Sequence, residues 1–242
     1  MAEKKEKKLV AADDRTKAAG KEVEKNMKQA KPVGDSAPLR VGAIICWIFA
    51  LLCEVGAYLV LVGKFNLKFL PSMWQIILLL VLDLILIIVG ATLWKKANHI
   101  SPASEKNKLK FWLWNNMGVL VTVVCFVPFI VLLLLNQNID KKTKSILAVV
   151  AVVALLLGGA GSYDYNPVSQ EMQDAAIQTL GDETVYWAPF GKVYHTHTDC
   201  QALNQSDTLT YGTVAEAIAA GRSRLCSFCA RKDEITGVAT DE

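Results

Sequence analysis

Four residues near the C-terminal end carry the clearest chemistry in the chain: His195, Cys200, Cys226 and Cys229. Cys226-Ser-Phe-Cys229 is a C-x2-C pair, in which a tight turn brings both sulfurs to one side as a chelating knuckle. His195 and Cys200, separated by four residues, stand upstream of it as a second pair. Three thiolates and one imidazole make a closed tetrahedral site of the kind zinc takes in structural roles, and the ion then contributes directly to folding. The competing arrangements are a Cys226–Cys229 disulfide or four unrelated side chains. His197 shares a strand face with His195, and His197-x2-Cys200 is also a reasonable chelate. The reading favours His195 as the ligand, with His197 exposed or beside a ligand. Three thiolates around a divalent cation leave −1, which Arg222, Arg224, Arg231 and Lys232 are expected to offset.

Two further residues stand out by their surroundings. Glu54 and Asp83 are the only acids inside long apolar runs, each near the middle of one. A carboxylate at that depth in a bilayer is costly, and marks a functional candidate by default. No Lys or Arg lies at matching depth, so the two are expected either to share a proton or bind a cation, or to bond between helices as protonated acids. The second reading is preferred, because four unbroken helices without internal repeats look small for a transporter. Cys46, Cys53 and Cys125 fall in the same runs and read as packing residues. There is no G-x-S-x-G, Walker loop or H-E-x-x-H, and the chain has 3 His in all. The expectation is that the protein is not an enzyme.

The ligands need a scaffold. Thr184–Trp187 and Lys192–His195 are β-rich around Pro189-Phe190-Gly191 and read as a hairpin. Thr213 with Glu216 forms a capping box for a helix Val214–Ala220 that Gly221 closes. A module this small, with one hairpin and one short helix, usually needs a staple. The run Val185-Tyr186-Trp187, Gly191–His195, Cys200, Leu203, Thr213–Ile218, Gly221, Cys226 and Cys229 resembles a widespread bacterial zinc module, similar to the metal-binding domain of the Ada DNA-repair protein. The resemblance covers residues 184–230 and implies a fold and a zinc ion. It implies no activity. The Ada site has four cysteines, one of them a methyl acceptor, whereas His195 occupies a ligand position here.

The rest of the chain reads as a membrane protein. Of its 242 residues 52% are hydrophobic and 20% charged, against roughly 25% charged in ordinary soluble domains. Four apolar segments are expected to span: 41–63, 74–94, 111–135 and 146–161, within a domain of residues 39–161. Trp74 and Trp94 are placed like interfacial anchors, with Lys95 and Lys96 snorkelling beyond them. The fourth segment, sixteen residues or about 24 Å of helix, is short for a bilayer. Residues 1–38 form a polar, mostly disordered tail, 162–183 a linker and 231–242 an acidic tail. No apolar stretch follows the basic start closely enough to be a secretory signal.

Charge orients the bundle. The N-terminal tail and the 95–110 loop hold sixteen Lys/Arg, and the other two loops hold five. Excess Lys/Arg marks the cytoplasmic face, so both termini are expected there, although no Lys or Arg follows the fourth segment until Lys192. Residues 162–242 contain five Lys/Arg against twelve acids, a net −7 that excludes the basic footprint of a nucleic-acid binder. The fold class that emerges is an α-helical membrane bundle with a small C-terminal α+β zinc module, integral to a bacterial plasma membrane. Its partners are the lipid bilayer and an unidentified protein, which makes it an adaptor, sensor or assembly element. The alternative is a small proton- or cation-coupled permease that uses Glu54 and Asp83 and is stabilised or gated by the module.

Overall fold

The computed structural model describes residues 7–18, 21, 36–181 and 183–241, and the chain divides into two compact units. One unit comprises Pro38–Lys95 and Trp112–Tyr165. Its helices are α1 (Ala37–Leu61), α2 (Ser72–Ile100), α3 (Lys108–Asn115), α4 (Met117–Leu135) and α5 (Lys141–Ser162). Four of these, α1, α2, α4 and α5, are long and apolar enough to cross a membrane, with mean hydropathy of 2.3 to 3.0 over their best windows. Their apolar residues do not all turn inward. Ile44, Ile48, Phe49, Leu52 and Val55 of α1 are exposed, as are Val149, Leu156 and Leu157 of α5. Helices apolar all round are the kind that lipid or a large core surrounds.

Inside this unit Leu80, Ile87, Phe126, Phe129, Leu133 and Leu147 form the buried centre. The helices approach closely where side chains are small. A Cβ on Gly118 would stand 2.5 Å from Ala91 Cβ and 3.0 Å from Ser162 Cβ, so only glycine lets α4 touch α2 and α5 there. A second cluster joins Trp47, Trp94 and Trp114, with ring centroids 5.4 and 5.2 Å apart. The Arg40 guanidinium lies 5.7 Å from the Trp94 ring and 5.3 Å from Trp114, a cation–π arrangement at the start of α1.

Two expectations about these segments change. Trp94 is buried in the aromatic cluster and donates its indole N–H to Trp114 O at 2.7 Å, so it is no outward anchor, whereas Trp74 is exposed. The segment 111–135 breaks between α3 and α4, where the Asn116 side chain accepts the Asp164 N–H at 3.1 Å and donates to Trp112 O at 3.0 Å. A side chain that bonds outside its own helix gives the backbone an alternative to continuing. The last helix is longer than its apolar run, because it uses the flank: Asp140 caps α5 by accepting the Thr143 N–H at 2.9 Å, which brings three lysines into the helix and extends it to 22 residues.

The other unit comprises the described parts of Met1–Ala37, Lys96–Phe111 and Asn166–Glu242. It contains β1 (Lys8–Ala11), α6 (Gln170–Leu180), β2 (Val185–Trp187), β3 (Val193–Tyr194), a 3-10 turn (Gln201–Leu203), β4 (Thr208–Gly212), α7 (Val214–Ala219), β5 (Arg224–Leu225) and α8 (Ser227–Lys232). One sheet has the order β1-β4-β2, with β1 parallel and β2 antiparallel to β4. The other pairs β3 and β5 in parallel. Val185, Trp187, Tyr194, Leu203, Leu209, Ile218 and Leu225 fill the core beneath them.

The expectation of a disordered tail fails at residues 8–11, which form a strand. Lys8↔Thr208 to Ala11↔Tyr211 is its register, and the next residue, Ala12, is buried in the core. Most of the rest of that tail lies outside the described residues. The 162–183 linker is also largely helical: Ser169 caps α6 by accepting the Met172 N–H, and Gly181 ends it. The α6 helix holds the 96–111 connection through Gln173 Nε2 donating to His99 O at 2.6 Å and Glu171 accepting from the Ser104 hydroxyl. Thr213 and Glu216 make the capping box of α7, and Gly221 follows it at φ +83°. The hairpin is reduced to one bridge, in which Tyr186 and His195 exchange both backbone hydrogen bonds. Beyond that bridge β2 and β3 find different partners.

Candidate metal centre

Parallel pairing of β3 with β5 puts the two halves of the centre together. Tyr194 lies opposite Leu225, so the residues that follow each strand, His195 and Cys226, emerge at the same end. Cys226 N–H donates to Tyr194 O at 2.9 Å and fixes that crossing. Cys226 is the N-cap of α8, which carries Cys229 one turn later, and Cys200 caps the 3-10 turn beyond β3. The Sγ atoms of Cys200, Cys226 and Cys229 and a ring nitrogen of His195 all lie within 4.8 Å of one another, and all four residues are buried. This group could hold a metal ion.

The distances suit a single central ion. Cys200 Sγ and Cys226 Sγ are 3.8 Å apart, and Cys229 Sγ and His195 Nδ1 are also 3.8 Å apart. A regular tetrahedron with ~2.3 Å arms, the usual zinc–thiolate distance, has edges of about 3.8 Å. A disulfide would need sulfurs ~2.05 Å apart, and all three cysteines are free. Packing alone does not account for three thiols and an imidazole turned onto one buried point.

The protonation pattern is uneven. Burial pushes the Cys200 thiol up to about 12, with the neighbouring cysteines adding to it, and burial also raises Cys226. Burial works in the same direction on Cys229, but hydrogen bonds from His195, His197 and Thr196 outweigh it and bring that thiol down to about 6. Cys229 is therefore the sulfur prepared as a thiolate.

His197 points elsewhere. Its Nε2 meets Asp233 Oδ1 at 2.6 Å, and the Thr196 hydroxyl donates to the other Asp233 oxygen at 2.5 Å. Asp233 follows α8 directly, so this clasp ties the segment after His195 to the helix that carries Cys229. Burial raises the Asp233 carboxyl, but those two donors and the nearby Lys232 hold it below the ordinary carboxylate value. Sequence reasoning missed Asp233, which stands outside the ligand spacing. The basic residues of this region bond to backbone and carboxylate oxygens. Arg222 donates to Ala188 O and Pro189 O, Arg224 to Asn166 O, Pro167 O and Thr240 O, and Arg231 to Ser227 O. Lys232 faces Asp199 at 3.7 Å.

In the helical unit, Glu54 on α1 and Asp83 on α2 are neighbours. Asp83 is fully buried, and among the described residues none of the four carboxyl oxygens has a hydrogen-bond partner of ordinary geometry. They belong to the helical unit and the four-ligand group to the other. Asn115 and Asn116 are buried, and Cys125 is packed beside Phe126 and Phe129. Comparison with protein-family models, with curated proteins and with solved structures gives no match for the chain.

Proposed function

We propose that the chain is a four-span integral membrane protein of the bacterial plasma membrane whose C-terminal part is a zinc-stapled recognition module. The module engages a protein partner, which makes the molecule an adaptor, sensor or assembly element rather than an enzyme. The observation that carries this reading is the convergence of His195, Cys200, Cys226 and Cys229 on one buried point, with donor atoms within 4.8 Å of one another and two of the pairs at 3.8 Å. Three sulfurs and one nitrogen suit zinc over harder cations, and four filled protein positions leave no coordination site for a substrate. The Ada-like resemblance of residues 184–230 points the same way and rests here on the donor set, since no family model supports it.

Contacts within the C-terminal unit support the orientation. β1 precedes α1 and pairs with β4, which follows α5. Gln170 N–H donates to Ala103 O at 3.2 Å, joining the α2–α3 connection to the same unit. One folded unit outside the bilayer can draw on all three stretches only if an even number of crossings separates them. Four spans satisfy this, and the lysine-rich tail and loop favour the cytoplasmic side for that unit. Nucleic acid is an unfavourable partner for a region of −7.

Elemental analysis of the purified full chain tests the reading: about one zinc per chain is expected, falling to near zero in Cys226→Ser. Absence of any stoichiometric transition metal would overturn it. Reporters fused at the C-terminus should register the cytoplasmic side; an exported signal would sink the four-span arrangement. The permease reading is favoured by one observation, the neighbouring buried carboxyls of Glu54 and Asp83 inside the apolar helices. Flux into proteoliposomes that disappears in the Glu54→Gln, Asp83→Asn double variant would establish it in place of the adaptor.

A further inference from the structure

Resting on the reading of the module as an interaction element, we propose that the side of β4 opposite β2 is its binding site, a position that accepts a lysine-flanked extended segment of a partner protein in parallel. In the structure, the chain's own β1 occupies this position as a built-in competitor. The occupant is held as an added peptide would be. Lys8 N–H donates to Asp207 O at 2.8 Å and Ala12 N–H to Tyr211 O at 2.9 Å, so main-chain groups at both ends of the strand supply the contacts. Its side chains add little between those ends: Leu9 and Val10 are 49% and 42% exposed.

Specificity comes from two positions. Ala12 is 3% exposed and sits against Gly212, where even a Cβ would lie 3.3 Å from Ala12 Cβ and 3.1 Å from the Trp187 ring. That seat admits only a small residue. Lys7 Nζ donates to Thr198 O at 2.8 Å, on a region with twelve acids and five bases. The partner segment therefore carries lysine at its start and a small apolar residue five positions on, with tolerant positions between. A strand belonging to the site's own fold core would instead bury its middle residues. β1 reaches the edge from the far end of the sequence, so no short turn obliges it to stay.

The probe is a fluorescent synthetic peptide of residues 5–14, followed by anisotropy against the intact chain and a full chain lacking residues 1–13, both in detergent. The shortened chain is expected to bind it. The intact chain should bind it about tenfold more weakly or worse, since a tethered competitor acts at an effective concentration near ~1 mM. A peptide with Ala12→Trp should not bind, and Lys7→Glu should weaken binding. Equal binding to both chains, or no binding by a shortened chain that retains its metal, overturns the edge site. If the shortened chain loses its metal, the full chain with a protease site inserted between residues 22 and 35 is clipped instead. Exchange of the clipped β1 against excess labelled peptide supports the proposal, and permanent retention overturns it. Metal content separates the two readings: a metal-free intact chain removes the module itself, whereas a metal-loaded chain that ignores the peptide removes only the edge site.

Discussion

Loading an ion into the four-ligand centre must expel protons, and the structure sets how many. With its thiol at about 6, Cys229 is roughly nine-tenths thiolate at pH 7. Cys200, at about 12, and Cys226, raised by burial, remain thiols there. A centre that needs three thiolates therefore releases about two protons per ion, and the logarithm of its apparent affinity climbs by about two for each pH unit. Protons compete with the metal, so binding tightens as pH rises. From pH 7 to 8.5 the gain is about three decades, or roughly 4 kcal/mol. As pH falls through 6 the slope steepens, because Cys229 takes up its proton as well. Competition against a chromophoric chelator of known proton affinity measures the slope, and an indicator in weak buffer counts the protons directly. A slope of one or less between pH 7 and 8.5 would refute the reasoning, since it would mean that the buried thiols are already ionised or do not all bind. A slope of three would remove Cys229 as the prepared thiolate.

Asp233→Asn should destabilise the metal-loaded module by about 1 kcal/mol at pH 7, discounted for partial exposure, and lower its thermal midpoint by about 5 °C. The Asp233 carboxyl is held below its ordinary value, so this contribution is fully present above ~3.9 and disappears as pH falls through the lower folded value; a variant penalty that persists undiminished at lower pH counts against it. Gly118→Val should force α4 away from α2 and α5 at a cost of about 1–3 kcal/mol, whereas Gly159→Val, with nothing within 4 Å of a Cβ, should be close to neutral. Thermal aggregation of the two variants in one detergent compares them, and equal midpoints would remove the close-packing argument. In proteoliposomes a bundle whose acids serve only packing should show no proton flux, before or after Glu54→Gln.

What was legible in the sequence were the features that repeat a local rule. Long apolar runs read as helices, Thr213 with Glu216 read as a capping box, and the C-x2-C spacing picked out the knuckle. What was not legible depended on partners distant in sequence. Lys8–Ala11 looks like any lysine-rich tail until β4, some two hundred residues later, offers it an edge. The break at Asn116 depends on the Asp164 N–H, and the burial of Trp94 on Trp47 and Trp114, none of which a window around the residue contains. The carbonyl acceptors of Arg222 and Arg224 lie in remote loops for the same reason, and the spacing of the knuckle does not reveal them.

The order of events in the C-terminal unit follows from where its parts lie along the chain. All four candidate ligands fall between residues 195 and 229, so a metal centre there draws only on the last stretch of sequence. With strands of two to five residues, that stretch has little sheet of its own, and an ion gripping four side chains would supply cohesion that so small a core lacks. The β1–β4 pair is different. It spans nearly the whole chain, including every helix of the bundle, so it must close a very long loop and is expected to form last. Metal binding and strand addition should therefore separate: a chain without β1 keeps its ion, while a chain without Cys226 loses both, because the β4 edge is presented by a core that the ion holds together. The converse result, loss of metal on removing β1 with the strand still docked in Cys226→Ser, would reverse that dependence and make the sheet, not the ion, the organiser of the unit.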